Sequence, residues 1–452
     1  MRRHRDVVAV IGSTGTGKSQ LAVDLARHAA QHLGMHAEAI SADSMQTYVG
    51  LDVITNKADA SEMEGVPHHL LSFLSPGQEY DITQFVADAG GLCAQLQQQG
   101  ALPIVVGGTT YYVQHLLFPG RLVSQVPPTD YEGDVHARIA SLPPDLRALW
   151  DALGDDPKAP PPPGDLWPLL AHLDLACAQR WHHRDHRKVY RSLRILRDTG
   201  VPQSAWLSAQ DEEDRQHGRR EPSRRLVLWV WSEREALHAR LNARIQTMIE
   251  RGLLDEIRDL RRIAGDAPTD YTRGIFQAIG YKEFDAYLTH GGDDRFAAAI
   301  TDMQTATRRY AKRQTSWIRN QLLPEIRKAQ ERGEDVWLYL LDATDPAFWK
   351  ERVSDPAHRI LEAFIAHDDP MPDPRAQSAA AAEQLAVPEQ TGSRLERNRL
   401  VACDTCTSDE AQPFLYRENE RDKHMQSRTH RMALKRRSRA AYIAEGRARA
   451  RS

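Results

Sequence analysis

The first apolar run begins almost at the start of the chain. Asp6-Val-Val-Ala-Val-Ile11 is short, continuous and rich in β-branched residues, the pattern of a strand buried on both faces of a parallel sheet. From Ser19 to about Leu33 the apolar positions recur at helical spacing, and a second strand is expected at about Glu38 to Ser41, ending at Asp43-Ser44-Met45-Gln46. Leu102-Pro-Ile-Val-Val106 reads as a further buried strand, closed by Gly107-Gly108-Thr109. Strands alternating with helices predict an α/β fold with a parallel sheet. Between residues 122 and 182 the rhythm breaks. Pro-rich turns, including Pro160 to Pro163, separate helical stretches such as Asp165 to Gln179, which predicts a helical insertion. Strand character returns at Leu226 to Trp231 and again at Val336 to Leu341, with helical patterns from Glu233 to Leu322 between them. A stretch rich in Ala, Pro, Gln and Ser, about Asp368 to Asn398, has no apolar period and reads as flexible linker. The expected division is 1–121 and 183–345 as two parts of one core, 122–182 as the insertion, 346–399 as linker, 400–441 as a terminal module and 442–452 as a basic tail.

Composition narrows the class. The chain has 452 residues, 41% hydrophobic and 27% charged, and no apolar run approaches the roughly 18 residues of a membrane span, so no membrane partner is expected. Four cysteines, Cys93, Cys177, Cys403 and Cys406, are too few for a disulfide scaffold and point to a reducing compartment. Net charge is −3, yet from Pro413 onward twelve Lys and Arg face four Asp and Glu, so the tail carries +8 and the rest −11. A tail of that sign suits a polyanion or serves as a nuclear address. The Arg-rich start (Arg2, Arg3, Arg5) is too short for a transit peptide.

The first chemical signal is Gly12-Ser13-Thr14-Gly15-Thr16-Gly17-Lys18-Ser19, a G-x-x-x-x-G-K-[ST] loop between a strand and a helix. Glycines let backbone N–H groups crowd round an anion, the helix N-terminus adds positive dipole, and Lys18 adds charge. The ligand is therefore a di- or triphosphate; the reaction is left open. In an ATPase or kinase a neighbouring strand should end in a metal-binding Asp, but Ile104-Val-Val106 ends in Gly-Gly-Thr. Asp43 does follow a strand, where it either faces the same crevice as the loop or caps a helix. Arg240 and Arg244 share one face of a predicted helix. His68 and His69 have no third ligand nearby and read as loop packing.

Two segments suit RNA phosphates. Thr307 to Arg319 carries Arg308, Arg309, Lys312, Arg313 and Arg319 with interleaved aromatics, and Arg184 to Arg194 carries Arg187, Lys188 and Arg191. At the far end, Cys403, Cys406, His424 and His430 form C-x2-C-x17-H-x5-H, tetrahedral ligand pairs for a structural Zn²⁺ with a spacer longer than that of DNA-reading fingers. The full fold expectation is an α/β P-loop parallel sheet core with an inserted helical domain and a C-terminal Cys2His2 zinc finger.

Taken together, the phosphate loop, Asp43-Ser-Met-Gln46, Ile54-Thr-Asn-Lys57, Pro67-His-His69, Val105-Val-Gly-Gly-Thr109, Asp185-His-Arg-Lys-Val-Tyr-Arg-Ser-Leu193, Gln277-Ala-Ile-Gly-Tyr-Lys-Glu-Phe284 and Tyr310-Ala-Lys-Arg-Gln314 with Trp317 resemble the tRNA dimethylallyltransferases of the fungal, finger-bearing type. The resemblance covers roughly residues 7 to 345, and the joint occurrence of these motifs in order is specific. It implies transfer of a dimethylallyl group from its diphosphate to N6 of the adenosine beside the tRNA anticodon. It also implies that the loop holds the donor diphosphate with Mg²⁺ held partly by Ser19, that Asp43 is the base, that Thr14 contacts substrate, and that an Arg of the 240/244 pair, with Arg244 favoured, reaches the diphosphate. Ser44, Met45, Gln46 (on the edge of an extruded base) and Lys282 join the basic helices as candidate contacts to the tRNA anticodon stem-loop. A monomer is expected, in the cytoplasm and also in nucleus and mitochondrion. Two other readings compete: prenylation of free adenine nucleotides, and a P-loop NTPase or kinase carrying an RNA-binding finger.

Overall fold

A computed structural model describes residues 5–118, 132–155, 161–181, 185–216, 224–265, 270–271, 273–386, 400–407 and 413–437. Contacts divide the chain into two units, one of residues 1–122 and 219–386, the other of 123–218 and 387–452.

The first unit is built on six parallel strands, β1 (Val7–Gly12), β2 (Ala37–Ser41), β3 (His68–His69), β4 (Leu102–Gly107), β5 (Arg225–Trp231) and β6 (Val336–Asp342), in the order β3-β2-β4-β1-β5-β6. The β-branched runs are continuous because both faces are covered. Along β1, Val7, Ala9 and Ile11 enter one core while Val8 and Val10 enter the other; along β5, Val227 and Trp229 alternate with Leu226, Leu228 and Val230 in the same way. Helices Ile82–Gln98, Thr110–Leu117 and Leu323–Glu331 contribute to the first core, and Lys18–His32 with Asp355–Ala366 to the second. A third core gathers Ile245, Met248, Leu253, Ile257, Phe284 and Met303 from helices after β5 around Tyr48, Leu51 and Ile54. There Glu256 accepts the Val53 and Ile54 N–H groups at 2.9 and 2.8 Å.

Two boundaries fall elsewhere than the composition suggested. The insertion does not stop at residue 182. Helix His186–Thr199 buries Val189, Leu193 and Leu196 against Leu169, Leu170 and Leu173, and helix Gln203–Gln216 adds Ala205 and Trp206. An apolar face of that size needs covering, and the insertion's own leucines cover it. The span 346–399 is likewise not all linker. Val353, Ala357, Ile360, Leu361 and Phe364 form a helical stripe sunk in the second core, and Ala381 and Leu385 close the first. Residues 387–399 lie outside the described residues. His68 and His69 form the edge strand β3, not a loop; His69 Nε2 pairs with Glu38 Oε2 at 2.5 Å and His68 Nδ1 with the Val66 carbonyl at 2.8 Å.

In the second unit the terminal module pairs β7 (Leu400–Ala402) with β8 (Leu415–Arg417) antiparallel, followed by helix Arg421–Met425 and a helical run over 428–437. The basic tail 442–452 lies outside the described residues.

Candidate active site

The phosphate loop with Lys18 and the Asp43 loop lie beyond the carboxyl ends of strands, where open parallel sheets bind ligands. The phosphate loop leaves β1, Asp43 leaves β2, and Gly107-Gly108-Thr109 leave β4. The glycines are there for want of room. A Cβ on Gly12 would meet the Val230 carbonyl, on Gly17 the Trp349 ring, on Gly107 the Ala42 carbonyl and on Gly108 the Gln314 amide. Ala42 N–H donates to the Val106 carbonyl (2.8 Å) and Thr109 N–H to the Ala42 carbonyl (3.1 Å), so the Asp43 loop is clamped to the end of β4.

Inside this frame Lys18 Nζ donates to the Ser13 carbonyl at 2.8 Å and Thr16 Oγ1 to the same oxygen at 2.9 Å. Asp43 does not cap a helix. Its Oδ1 accepts the Met45 N–H at 3.0 Å, which turns the chain and leaves the carboxylate toward the loop. Ser44 N–H donates to Thr109 Oγ1 at 3.1 Å. Burial pushes the Asp43 carboxyl up despite the opposing pull of the Met45 amide and the Lys18 charge. Burial also pulls the Lys18 ammonium down to about 8 and the Arg244 guanidinium down to about 10, in both cases against the attraction of Asp43. Shifts of this kind cluster at functional sites, although structural ion pairs produce them too.

Arg244 reaches the loop because helix Arg234–Glu250 lies against it: Leu237 and Leu241, two turns and one turn before, pack on Ala311, and Leu241 abuts Gly15. Arg244 Nη2 donates to Thr14 Oγ1 at 2.8 Å, whereas Arg240 Nη2 donates to Ser232 Oγ at 2.5 Å. The structure thus separates the pair and puts Arg244 on the loop. Gln46 Nε2 is engaged by the Thr55 and Asn56 carbonyls at 3.2 and 3.1 Å, so its amide braces the neighbouring loop.

The expected basic surfaces are partly dismantled. On helix Asp293–Trp317, Arg309, Lys312 and Arg313 are exposed on one face, but Arg308 is half-buried on Asn242 Oδ1 (2.8 Å). Lys282 is exposed. Arg187, Lys188 and Arg191 are exposed on a helix of the second unit, with Lys188 paired to Asp185 at 2.8 Å, while Arg194 turns inward onto the Gly154 carbonyl (2.9 Å) and Asp198. Arg184 lies outside the described residues.

The sequence reading held Thr109, Tyr310 and Gln314 only as parts of motifs, without a role, and missed Trp349. Gln314 was legible in one respect, since it is a polar side chain on the stripe Met303, Thr307, Ala311 that the helix buries.

In the terminal module the ligand atoms of Cys403, Cys406, His424 and His430 all lie within 4.8 Å of one another. Cys403 Sγ and Cys406 Sγ stand 3.4 and 3.5 Å from His430 Nδ1, and Cys406 Sγ 3.6 Å from His424 Nε2. Those are the edges of a tetrahedron about one ion. Tyr416 stacks on His424 at 4.5 Å and fixes its ring. Among the described residues this is the one grouping of three or more such ligands spaced for a metal.

A family model described as IPP transferase matches residues 46–321, beginning just past Asp43. The tRNA dimethylallyltransferase of Schizosaccharomyces pombe is 33% identical over 97% of this chain and 96% of its own length. That of Homo sapiens is 31% identical over 97% and 88%. A solved structure described as a eukaryotic dimethylallyltransferase acting on tRNA aligns with a TM-score of 0.71 at 29% identity, covering 98% of this chain and 99% of that one. The full-length tRNA isopentenylpyrophosphate transferase of Bacillus halodurans aligns at 0.51 and 29%, covering 80% of this chain and 97% of its own. Identity sustained from the strand before the phosphate loop through the terminal finger leaves one assignment: the chain belongs to the tRNA dimethylallyltransferase family.

Proposed function

We propose that the protein transfers a dimethylallyl group from dimethylallyl diphosphate to N6 of the adenosine adjacent to the anticodon in tRNA, releasing diphosphate. The observation that carries the reading is one raised carboxyl, Asp43, set beside a depressed ammonium, Lys18, at the mouth of a phosphate loop whose Thr14 is held by Arg244. An allylic diphosphate ionises readily because the developing cation is delocalised, so the protein must neutralise the departing diphosphate and hold the nucleophile in line. Lys18, Arg244 and the loop amides serve the first task. Asp43 serves the second by accepting the proton that the exocyclic amine loses as its nitrogen bonds to the allylic carbon.

Ser19 stands exposed at the first turn of helix Lys18–His32, where one hydroxyl suits Mg²⁺ that takes its remaining ligands from diphosphate and water. When bound, that ion adds positive charge against the leaving group. Zn²⁺ is the ion we assign to the finger, on the two-thiolate, two-imidazole donor set. The exposed Arg309, Lys312 and Arg313 face and the finger's Lys435-Arg-Arg437 supply phosphate contacts for the tRNA anticodon stem-loop. The enzyme works as a monomer in the cytoplasm, with nucleus and mitochondrion as further compartments.

The test is to incubate the protein with radiolabelled dimethylallyl diphosphate and Mg²⁺, together with tRNA, AMP or ATP separately. Label in tRNA alone supports the reading. Label in AMP or ATP makes it a nucleotide prenyltransferase, and hydrolysis of ATP with no label transferred makes it an NTPase.

A further inference from the structure

The amide of one side chain is spent between the two loops that hold the reacting partners. Gln314 Oε1 accepts the Thr14 N–H at 2.8 Å, and Gln314 Nε2 donates to the Gly108 carbonyl at 2.8 Å. Both bonds are long-range in sequence and sheltered from water, and Gln314 is only 5% exposed. The Thr14 amide, which in a phosphate loop would face the anion, is therefore committed to the protein. The Gly108 end lies beside the base, because a Cβ on Gly108 would meet Gln314 Nε2 and come within 3.7 Å of Asp43 Oδ2. Tyr310, one turn earlier, hydrogen-bonds Gln314 and Thr109, and burial with the nearby Asp43 charge keeps its phenol protonated.

Resting on the proposed function, we propose that Gln314 is a positioning residue, whose carboxamide sets the separation between the donor-holding Thr14 loop and the Asp43 base. The physical case is one of leverage. Thr14 and Gly108 sit on loops leaving neighbouring strands β1 and β4, and loops move more readily than strands. A planar amide with an acceptor at one end and a donor at the other fixes both at once without ionising. Misplacing reacting atoms by about 1 Å costs on the order of 100-fold in rate, while the strands and both binding surfaces survive. Gln314 also belongs to the helix whose outer face exposes Arg309, Lys312 and Arg313, so the same rigid rod carries the proposed tRNA contacts and the loop brace.

Two variants test it in the full-length protein, Gln314→Met, which keeps the volume and loses both bonds, and Gln314→Asn, which keeps the carboxamide on a side chain one methylene too short to span both loops. Single-turnover rates are measured with dimethylallyl diphosphate and tRNA both saturating, beside tRNA Kd and Tm. The expected result is a fall of 10-fold or more in the Gln314→Met rate, with tRNA Kd within twofold and the protein still folded at the assay temperature. In Gln314→Asn the amide reaches Thr14 or Gly108 but not both, so its rate falls beside that of Gln314→Met while tRNA Kd again stays within twofold. Rates within twofold of wild type in both variants, or unfolding of both variants, would overturn the positioning role. Wild-type protein that prenylates no tRNA would instead sink the proposed function itself, independently of either variant.

Discussion

At the scale of single residues the site is a set of half-buried ions. Asp43 is held above the ordinary carboxylate range by burial and Lys18 is brought down to about 8, which fixes the sign of the pH dependence. As the proposed base, Asp43 must be ionised, so activity should be lost as pH falls through a pKa higher than the usual ~4 of Asp. The ammonium must be charged to hold diphosphate, so donor capture is lost as pH rises past about 8. The expected kcat/KM for dimethylallyl diphosphate is therefore bell-shaped, since that ratio reports groups of the free enzyme; a flat alkaline side from pH 7 to 9 would remove Lys18 from the donor site. Asp43→Asn keeps shape but cannot take the proton. Its turnover should fall by roughly 10²- to 10⁴-fold with tRNA Kd retained, measured by single turnover and filter binding. Near-normal turnover would exclude Asp43 as the base.

At the scale of elements, helix Asp293–Trp317 divides its labour by face. Thr307, Ala311 and Gln314 point into the protein, and Arg309, Lys312 and Arg313 point out. Replacing the three exposed cations by Ala should leave the fold intact, because surface substitutions typically change stability by less than about 0.5 kcal/mol. It should raise the tRNA KM and flatten its salt dependence by roughly 0.7 to 0.9 in log–log slope per lost phosphate contact. An unchanged slope in titrations at two or more salt concentrations would mean this face meets no phosphate. The segregation also explains the limits of the sequence reading at this scale. A count of basic residues places Arg308 and Arg194 on RNA surfaces, but Arg308 serves Asn242 and Arg194 serves the insertion's own backbone. Charge is visible in a sequence; the partner that consumes it is not.

For the whole molecule, the question is where the catalytic unit ends. Composition suggests cutting near His367, yet Ala381 and Leu385 complete the sheet's first core and Arg327 donates to the Leu385 carbonyl at 3.2 Å. Cutting at His367 should therefore lower Tm, since removing a buried Leu alone costs on the order of 2–5 kcal/mol. A chain shortened to end at Ala386 should keep wild-type Tm for the sheet unit and near-normal turnover at saturating tRNA, while its tRNA KM rises and its salt slope becomes shallower through loss of the finger and the +8 segment. Equal KM and equal slopes for full-length and shortened chains would move the finger's role away from tRNA. Replacing Cys403 and Cys406 by Ser, or stripping the metal with a chelator, should reproduce part of the KM rise by unfolding the finger, because structural zinc modules fold with their ion; circular dichroism of the isolated 400–452 loss against the full chain reads that directly.

What the sequence determined by itself is local in nature. The phosphate loop, the buried strands, the Cys and His spacing of the finger and the placement of Asp43 after a strand are all patterns within one short stretch, the longest running from Cys403 to His430, where backbone sterics and periodicity act. The outer boundary of the insertion and the stripe at Val353 to Phe364 were legible in principle as helical periods, but the basic residues of His186–Thr199 drew that helix to the RNA-binding part of the core, and the stripe follows the last expected strand. The tertiary structure alone decided which of Arg240 and Arg244 meets the loop, that Gln314 bridges Thr14 to Gly108 across 300 and 206 positions, and that Trp349 lies against Gly17. These contacts arise because strand order β3-β2-β4-β1-β5-β6 brings the ends of β1, β2 and β4 together while the later helices close over them. Such proximity is set by crossovers and packing, and neither leaves a periodic trace along the chain.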